Sequence, residues 1–186
     1  MLVPSFRLAA VVALLLVARQ ARAQGDETSL FRASSTTLFA QLGLGTPLGY
    51  AGAELEQSVI SSLVLSVGAG MGAVGPQVAF MPRIRVAGAT SALVLGAGVS
   101  YGKYRDDVVC GPLCDGSDVR EGKVVWLNVE AAVEHRWTNG LTLRGFIGGG
   151  HGVSSTMVCV SRGGCGQAAP RALTLVYPGG AIGWSF

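Results

Sequence analysis

Charge is what this sequence has least of. Charged residues fill 13% of its 186 positions, about half of the quarter usual in soluble globular chains. None occurs between Glu56 and Arg83. An excess of one sign is also missing. Arg7, Arg19 and Arg22 lie within the first 23 residues, and without them the basic residues equal the 11 acidic ones in number. That balance gives no support to a basic surface for nucleic acid. A polar tail is absent too. The chain stops on "PGGAIGWSF", with Ile182, Trp184 and Phe186 at alternate positions, whereas soluble domains usually end in frayed polar residues.

Also missing is a credible membrane helix, although "SSLVLSVGAGMGAVG" is apolar enough to suggest one. The glycines argue against it. Gly68, Gly70 and Gly72 recur with period 2, as do Gly96 and Gly98, and Gly148, Gly150 and Gly152. Residues two apart point to nearly opposite sides of a helix but share one face of a strand. Leu63, Leu65, Val67, Ala69 and Met71 then line the other face. Pro76 and Pro82 would break the helix.

What is present at the start is a secretory signal pattern. Arg7 precedes an apolar stretch over residues 8–18, and the small-x-small site Ala21-Arg22-Ala23 comes just before Gln24. The stretch is about half the roughly 20 residues needed to span a bilayer. No cysteine follows the site, so a lipoprotein signal is not indicated. The expected organisation is a cleavable signal peptide over 1–23, a short periplasmic segment over 24–35 and one domain over 36–186.

Residues 124–137 show what that domain is made of. Val125, Leu127, Val129, Ala131, Val133, His135 and Trp137 alternate with Val124, Trp126, Asn128, Glu130, Ala132, Glu134 and Arg136. One set is nearly all apolar and the other becomes charged. This is the period-2 signature of a strand between two unlike environments. Counting in this way gives eight strands, over 36–45, 48–57, 61–72, 76–88, 91–104, 123–137, 141–154 and 171–186. Most match or slightly exceed the ~9–11 residues that a tilted strand needs to cross a membrane. Tight turns follow strands two, four and six, the last through Asn139-Gly140, a strong hairpin signal. Short links follow strands one and three. Long polar loops are expected over 105–122 and 155–170.

Eight alternating strands, a signal pattern and a terminal Phe186 together resemble the small eight-stranded outer-membrane barrels, the OmpA/OmpX and opacity-protein group. The resemblance spans the mature chain and rests on pattern, with no shared catalytic or binding motif. It implies an all-β fold, an eight-stranded antiparallel transmembrane up-and-down β-barrel in the bacterial outer membrane, with its N-terminus in the periplasm. It also implies that Ile182, Trp184 and Phe186 form the C-terminal signature read by the barrel-assembly machinery. Closure is what lipid demands, since no backbone group can be left unpaired there. Trp137, Trp184 and Phe186 would form the periplasmic aromatic girdle. In strand eight, Leu173, Leu175 and Tyr177 have the opposite parity from Trp184 and Phe186. A bulge near Pro178-Gly179-Gly180 is therefore expected, to keep a continuous outward face.

Several motifs invite stronger readings. Gly70, Gly72 and Gly75 match GxGxxG, but a strand follows in place of a helix, and no acidic residue appears before Asp106. No cofactor is expected. Asp115 and Asp118 lack the other ligands of a known calcium loop. His151 and Ser154 resemble the histidine and serine of outer-membrane lipid A deacylases. They fall on opposite strand faces and no acidic partner is evident, so no catalytic residue is assigned. Cys110, Cys114, Cys159 and Cys165 lie in the long loops. Oxidation is expected over metal binding in an exported chain. Three pairings are possible, and Cys110–Cys114 with Cys159–Cys165 is favoured because the alternatives require the loops to meet over the barrel mouth.

The inward parity collects one more set: Glu54, Glu56, Arg83, Arg85, Glu130, Glu134, Arg136 and Arg144. Four acids and four bases in one lumen should pair, since an isolated buried charge costs several kcal/mol. The expected protein is a monomeric, non-enzymatic barrel in outer-membrane lipid, with disulfide-tied loops that meet an extracellular ligand or with a role in supporting the envelope. A narrow channel is the alternative, and a lipid A-modifying enzyme a more distant one.

Overall fold

In the computed structural model, residues 29–32, 35–73, 75–109, 117–159 and 174–186 are described, without the side chains of 87, 105–109, 117–121 and 154–159. Eight strands follow one another: β1 (Thr36–Thr46), β2 (Gly49–Ile60), β3 (Leu63–Met71), β4 (Pro76–Ala87), β5 (Ser91–Val109), β6 (Ser117–Arg136), β7 (Leu141–Cys159) and β8 (Thr174–Ser185). Each pairs antiparallel with the next, and β8 returns to β1 to close a barrel. The fold is an all-β, up-and-down barrel. Both ends of the described chain lie at one end of it, with the turns around residues 61–62, 88–90 and 137–140. The 47–48 link and the opposite ends of the strands lie at the far end.

The seam explains the apolar C-terminus. Phe186 donates its N–H to Thr36 and accepts from the Thr36 N–H, at 2.9 and 3.1 Å. The last residue thus belongs to the ladder while its ring points outward, 73% exposed. Trp137 and Trp184 are exposed at the same end. Along the wall Leu38, Leu55, Val67, Phe80, Leu95, Val129 and Ile147 also face out. An apolar exterior around a polar interior reverses the usual arrangement of a soluble protein, and lipid is the solvent that such a wall requires.

Local chemistry sets the turns. At the β6–β7 hairpin Gly140 adopts φ 91°, a conformation that glycine takes without steric cost. The Asn139 side chain accepts from the Leu141 N–H at 3.0 Å. The glycine pattern has a different cause. On the inner face, β3, β5, β7 and β8 carry glycine where their neighbours carry long side chains. A Cβ at Gly148 would lie 2.4 Å from the Tyr177 ring, one at Gly183 2.5 Å from Phe39, and one at Gly179 2.3 Å from Phe146. Each is a glycine on which a cross-strand ring is seated.

Those seats overturn the expected bulge. β8 pairs with β7 from Leu141↔Trp184 to His151↔Thr174 without a register shift, and with β1 likewise. Val176 is 75% exposed and Tyr177 0%, so parity runs unbroken into Ile182 and Trp184. Tyr177 fits inside because Gly148 leaves room for its ring. Leu173 lies outside the described residues.

The ladder also continues past the expected loop boundaries. β5 pairs with β6 as far as Val109↔Ser117, and β6 with β7 as far as Arg120↔Cys159. Part of 105–122 and of 155–170 is therefore strand. Beyond the lipid band both faces of a strand meet water, so alternation no longer marks it in sequence.

Candidate functional site: a lumen in two halves

The register assembles the lumen as stacked rows. Arg83, Gly96, Glu130, Gly148 and Tyr177 form one row through successive pairings. Gly98, Asn128, Gly150 and Leu175 form the next toward the far end. The two rows mark a change of character.

From the first row down to the end where the strands begin and finish, the interior is a charge network. Arg83 holds Glu54 through both guanidinium nitrogens, at 2.6 and 3.0 Å, and reaches Glu130 at 3.2 Å. Arg144 joins Glu54 at 2.9 Å and Glu134 at 3.1 Å, and also bonds Glu56. Arg85 bonds Glu56 and lies 3.4 Å from Glu134. Arg136 meets Glu134 at 3.2 Å. All eight side chains are buried. Four carboxylates offset four guanidinium groups, so the cluster is neutral as a whole. Bidentate pairs of this kind are the stronger ones. Ser58 and Ser66 accept from Arg85 and Arg83 at 3.1 and 2.6 Å. The Nε atoms of Arg85, Arg136 and Arg144 have no hydrogen-bond partner among the described residues. A buried network of this sort closes space more surely than it adds stability.

Residues 29–32 finish the closure, which the sequence did not signal. Phe31 is 1% exposed, under the guanidinium groups of Arg136 at 4.7 Å and Arg85 at 5.0 Å. The Leu30 carbonyl accepts from Arg136 at 3.1 Å, and the Leu30 N–H donates to Ala89 at 3.0 Å. Arg144 stacks over Phe39 at 4.0 Å. Cation–π contacts gain strength when desolvated, as these are. A lone Phe31 in a short segment has no periodicity to read.

The far half is open. A cavity of about 230 Å³ is lined by Gln77, Ser100, Lys103, Tyr104, Trp126 and Asn128 among others. Gly70 and Gly72 fall in β3 and the turn after it, with β4 following, not a helix. His151 is exposed on the outer wall, bonded to the Thr174 hydroxyl at 3.0 Å. Cys110, Cys114 and Cys165, with Asp115, lie outside the described residues. Cys159 ends β7, while Cys159, Ser154 and Asp118 have no described side chain.

A closed eight-stranded antiparallel barrel with a lipid-facing wall and a polar interior is a barrel of the outer-membrane type. No family model matches the chain, and no curated protein matches it. Among solved structures it is similar to the N-terminal β-barrel domain of Pseudomonas aeruginosa OprF, with a TM-score of 0.55 and 12% identity over 83% of this chain and 98% of that one. A major outer membrane protein from Thermus thermophilus superposes at a TM-score of 0.46, with 13% identity over 81% of this chain and 99% of that one. At 12% identity the likeness to the OprF domain is one of fold.

Proposed function

We propose that this chain is a monomeric, non-enzymatic barrel of the bacterial outer membrane with a lumen closed to steady ion flow. Its N-terminus faces the periplasm, and its far end meets a ligand outside the cell or supports the envelope. The observation that carries this reading is the closed base. Eight charged side chains and Phe31 fill the terminal half of a lumen already just wide enough for side chains. In this reading residues 1–23 are removed on export, Ile182, Trp184 and Phe186 form the assembly signature, and Cys110–Cys114 and Cys159–Cys165 tie the loops as disulfides.

Planar bilayers test the closure. Purified native protein should give no sustained openings. Large, stable, ion-selective openings would make the protein a channel, and the reading would fail.

A further inference from the structure

The far cavity has a chemistry that closure of the base does not use. Its volume, about 230 Å³, is below the ~300–1,000 Å³ of sites for drug-sized ligands. It has room for one ring and its substituents. The β5–β6 part of the lining is aromatic toward the far end, where Trp126 and Tyr104 meet edge to face with centroids 5.6 Å apart. Deeper on the same two strands the lining is polar and uncharged. Ser100 and Asn128 are buried, and the Asn128 amide donates to the Ser100 hydroxyl at 3.0 Å. The Gln77 amide and the Asn128 carbonyl oxygen make no hydrogen bond among the described residues.

At the rim stands Lys103, on the outward parity of Val99 and Tyr101 but so close to the β3–β4 turn that a Cβ at Gly75 would lie 2.9 Å from its Cδ. Its direct cross-strand neighbour is Lys123. Like charges directly opposite one another on a sheet are destabilising. The acidic side chains that the structure describes, Glu54, Glu56, Glu130 and Glu134, are all engaged in the network below.

The geometry points to a binding site for a single acidic pyranose, a sugar carrying a carboxylate or phosphate, that enters from the far end. Each part of the lining selects one feature of that ligand. The aromatic part packs against the C–H face of the ring. Neutral amides and a hydroxyl offer both donors and acceptors, as sugar hydroxyls do. The ammonium at the rim takes the anionic substituent and disfavours a cation. A wholly apolar ligand would leave Gln77 and Asn128 unpaired at a penalty.

The inference extends the closed-barrel reading by using the base only as a floor, and the two can fail separately. Conductance of the same preparation decides the floor, and sugar binding decides the cavity. Full-length folded protein in lipid nanodiscs is titrated with glucuronate, glucose 1-phosphate and glucose, and the Trp126 indole N–H resonance is followed. Both acidic sugars should shift it saturably with a dissociation constant of about 1 mM, the affinity of a ligand with about thirteen non-hydrogen atoms at ordinary efficiency. Glucose should bind about five-fold more weakly, and Lys103→Gln, at an exposed position, should abolish that difference. Asn128→Ala should weaken all three by about ten-fold, with folding verified by the mobility shift on boiling. An unmoved Trp126 signal, or glucose binding as tightly as glucuronate, overturns the proposal.

Discussion

The two halves of the lumen are enclosed by the same eight strands and filled in opposite ways. Near the base the inward positions of β2, β4, β6 and β7 carry Glu54, Glu56, Arg83, Arg85, Glu130, Glu134, Arg136 and Arg144, all of them buried against one another. From the next row on, the inward positions carry Asn128, Ser100, Gln77 and glycines, and a cavity opens. The barrel circumference does not decide this, because strand number is the same in both halves. Side-chain length does. A wall of fixed width becomes a plug or a vessel according to what alternates along it.

The largest expected effect tests whether the plug is held by its charges. Arg144 touches three carboxylates and Phe39 at once, as many carboxylates as Arg83 reaches, so Arg144→Ala strands negative charge on three partners. Breaking a buried pair in this way typically costs ~3–5 kcal/mol. Urea unfolding in lipid vesicles, read by the heat-dependent gel shift, should show a loss of this size. Asn128→Ala in the far half should cost only about 1 kcal/mol, the worth of one neutral hydrogen bond. Combining Arg144→Met with Glu56→Gln removes one charge of each sign and should cost less than Arg144→Ala alone. If Arg144→Ala and Asn128→Ala cost the same, the two halves are energetically alike and the contrast is wrong.

How the two halves read in the sequence differs for the same physical reason. β6 passes between lipid and lumen, so Leu127, Val129 and Val133 separate cleanly from Asn128, Glu130 and Glu134 by parity, and the inward face follows. β5 beyond Tyr104 and β6 before Gly122 leave that two-solvent setting, and alternation stops marking them. Tyr177 is illegible for another reason. Its place inside depends on Gly148, far away in sequence, and a strand pattern holds no record of which glycine will lie across from it. Phe31 is invisible because its role comes from where the chain enters the barrel, beneath Arg136.

Glycine seats supply the intermediate effect. A Cβ at Gly148 would lie 2.4, 2.4 and 2.5 Å from the Cε2, Cζ and hydroxyl oxygen of Tyr177. That ring is wholly buried, with its hydroxyl donating to the Val129 carbonyl at 3.2 Å. The ring has nowhere to go. Overpacking of this kind costs ~1–3 kcal/mol, and Gly148→Ala should lower the urea midpoint accordingly. In a Tyr177→Ala background the same change should cost little, because the two residues share one volume. Additive losses in that double-mutant cycle would mean that the seat does not exist.

The smallest effect comes two residues along the same strand. At Gly150 the nearest atom to an added methyl is the Asn128 carbonyl oxygen at 2.9 Å, with Trp126 at 3.5 Å. That oxygen is the free end of an amide facing the cavity, so it can turn aside where the Tyr177 ring cannot. An alanine also restricts the unfolded chain more than a glycine does. Gly150→Ala should therefore change stability by no more than about 0.5 kcal/mol, the range of substitutions that meet no packing conflict. The strand, the residue type and the substitution are those of Gly148→Ala, and only the half of the lumen differs. A loss at Gly150 as large as that at Gly148 would show that the far half is packed as tightly as the base, and the cavity would have to be given up along with the site assigned to it.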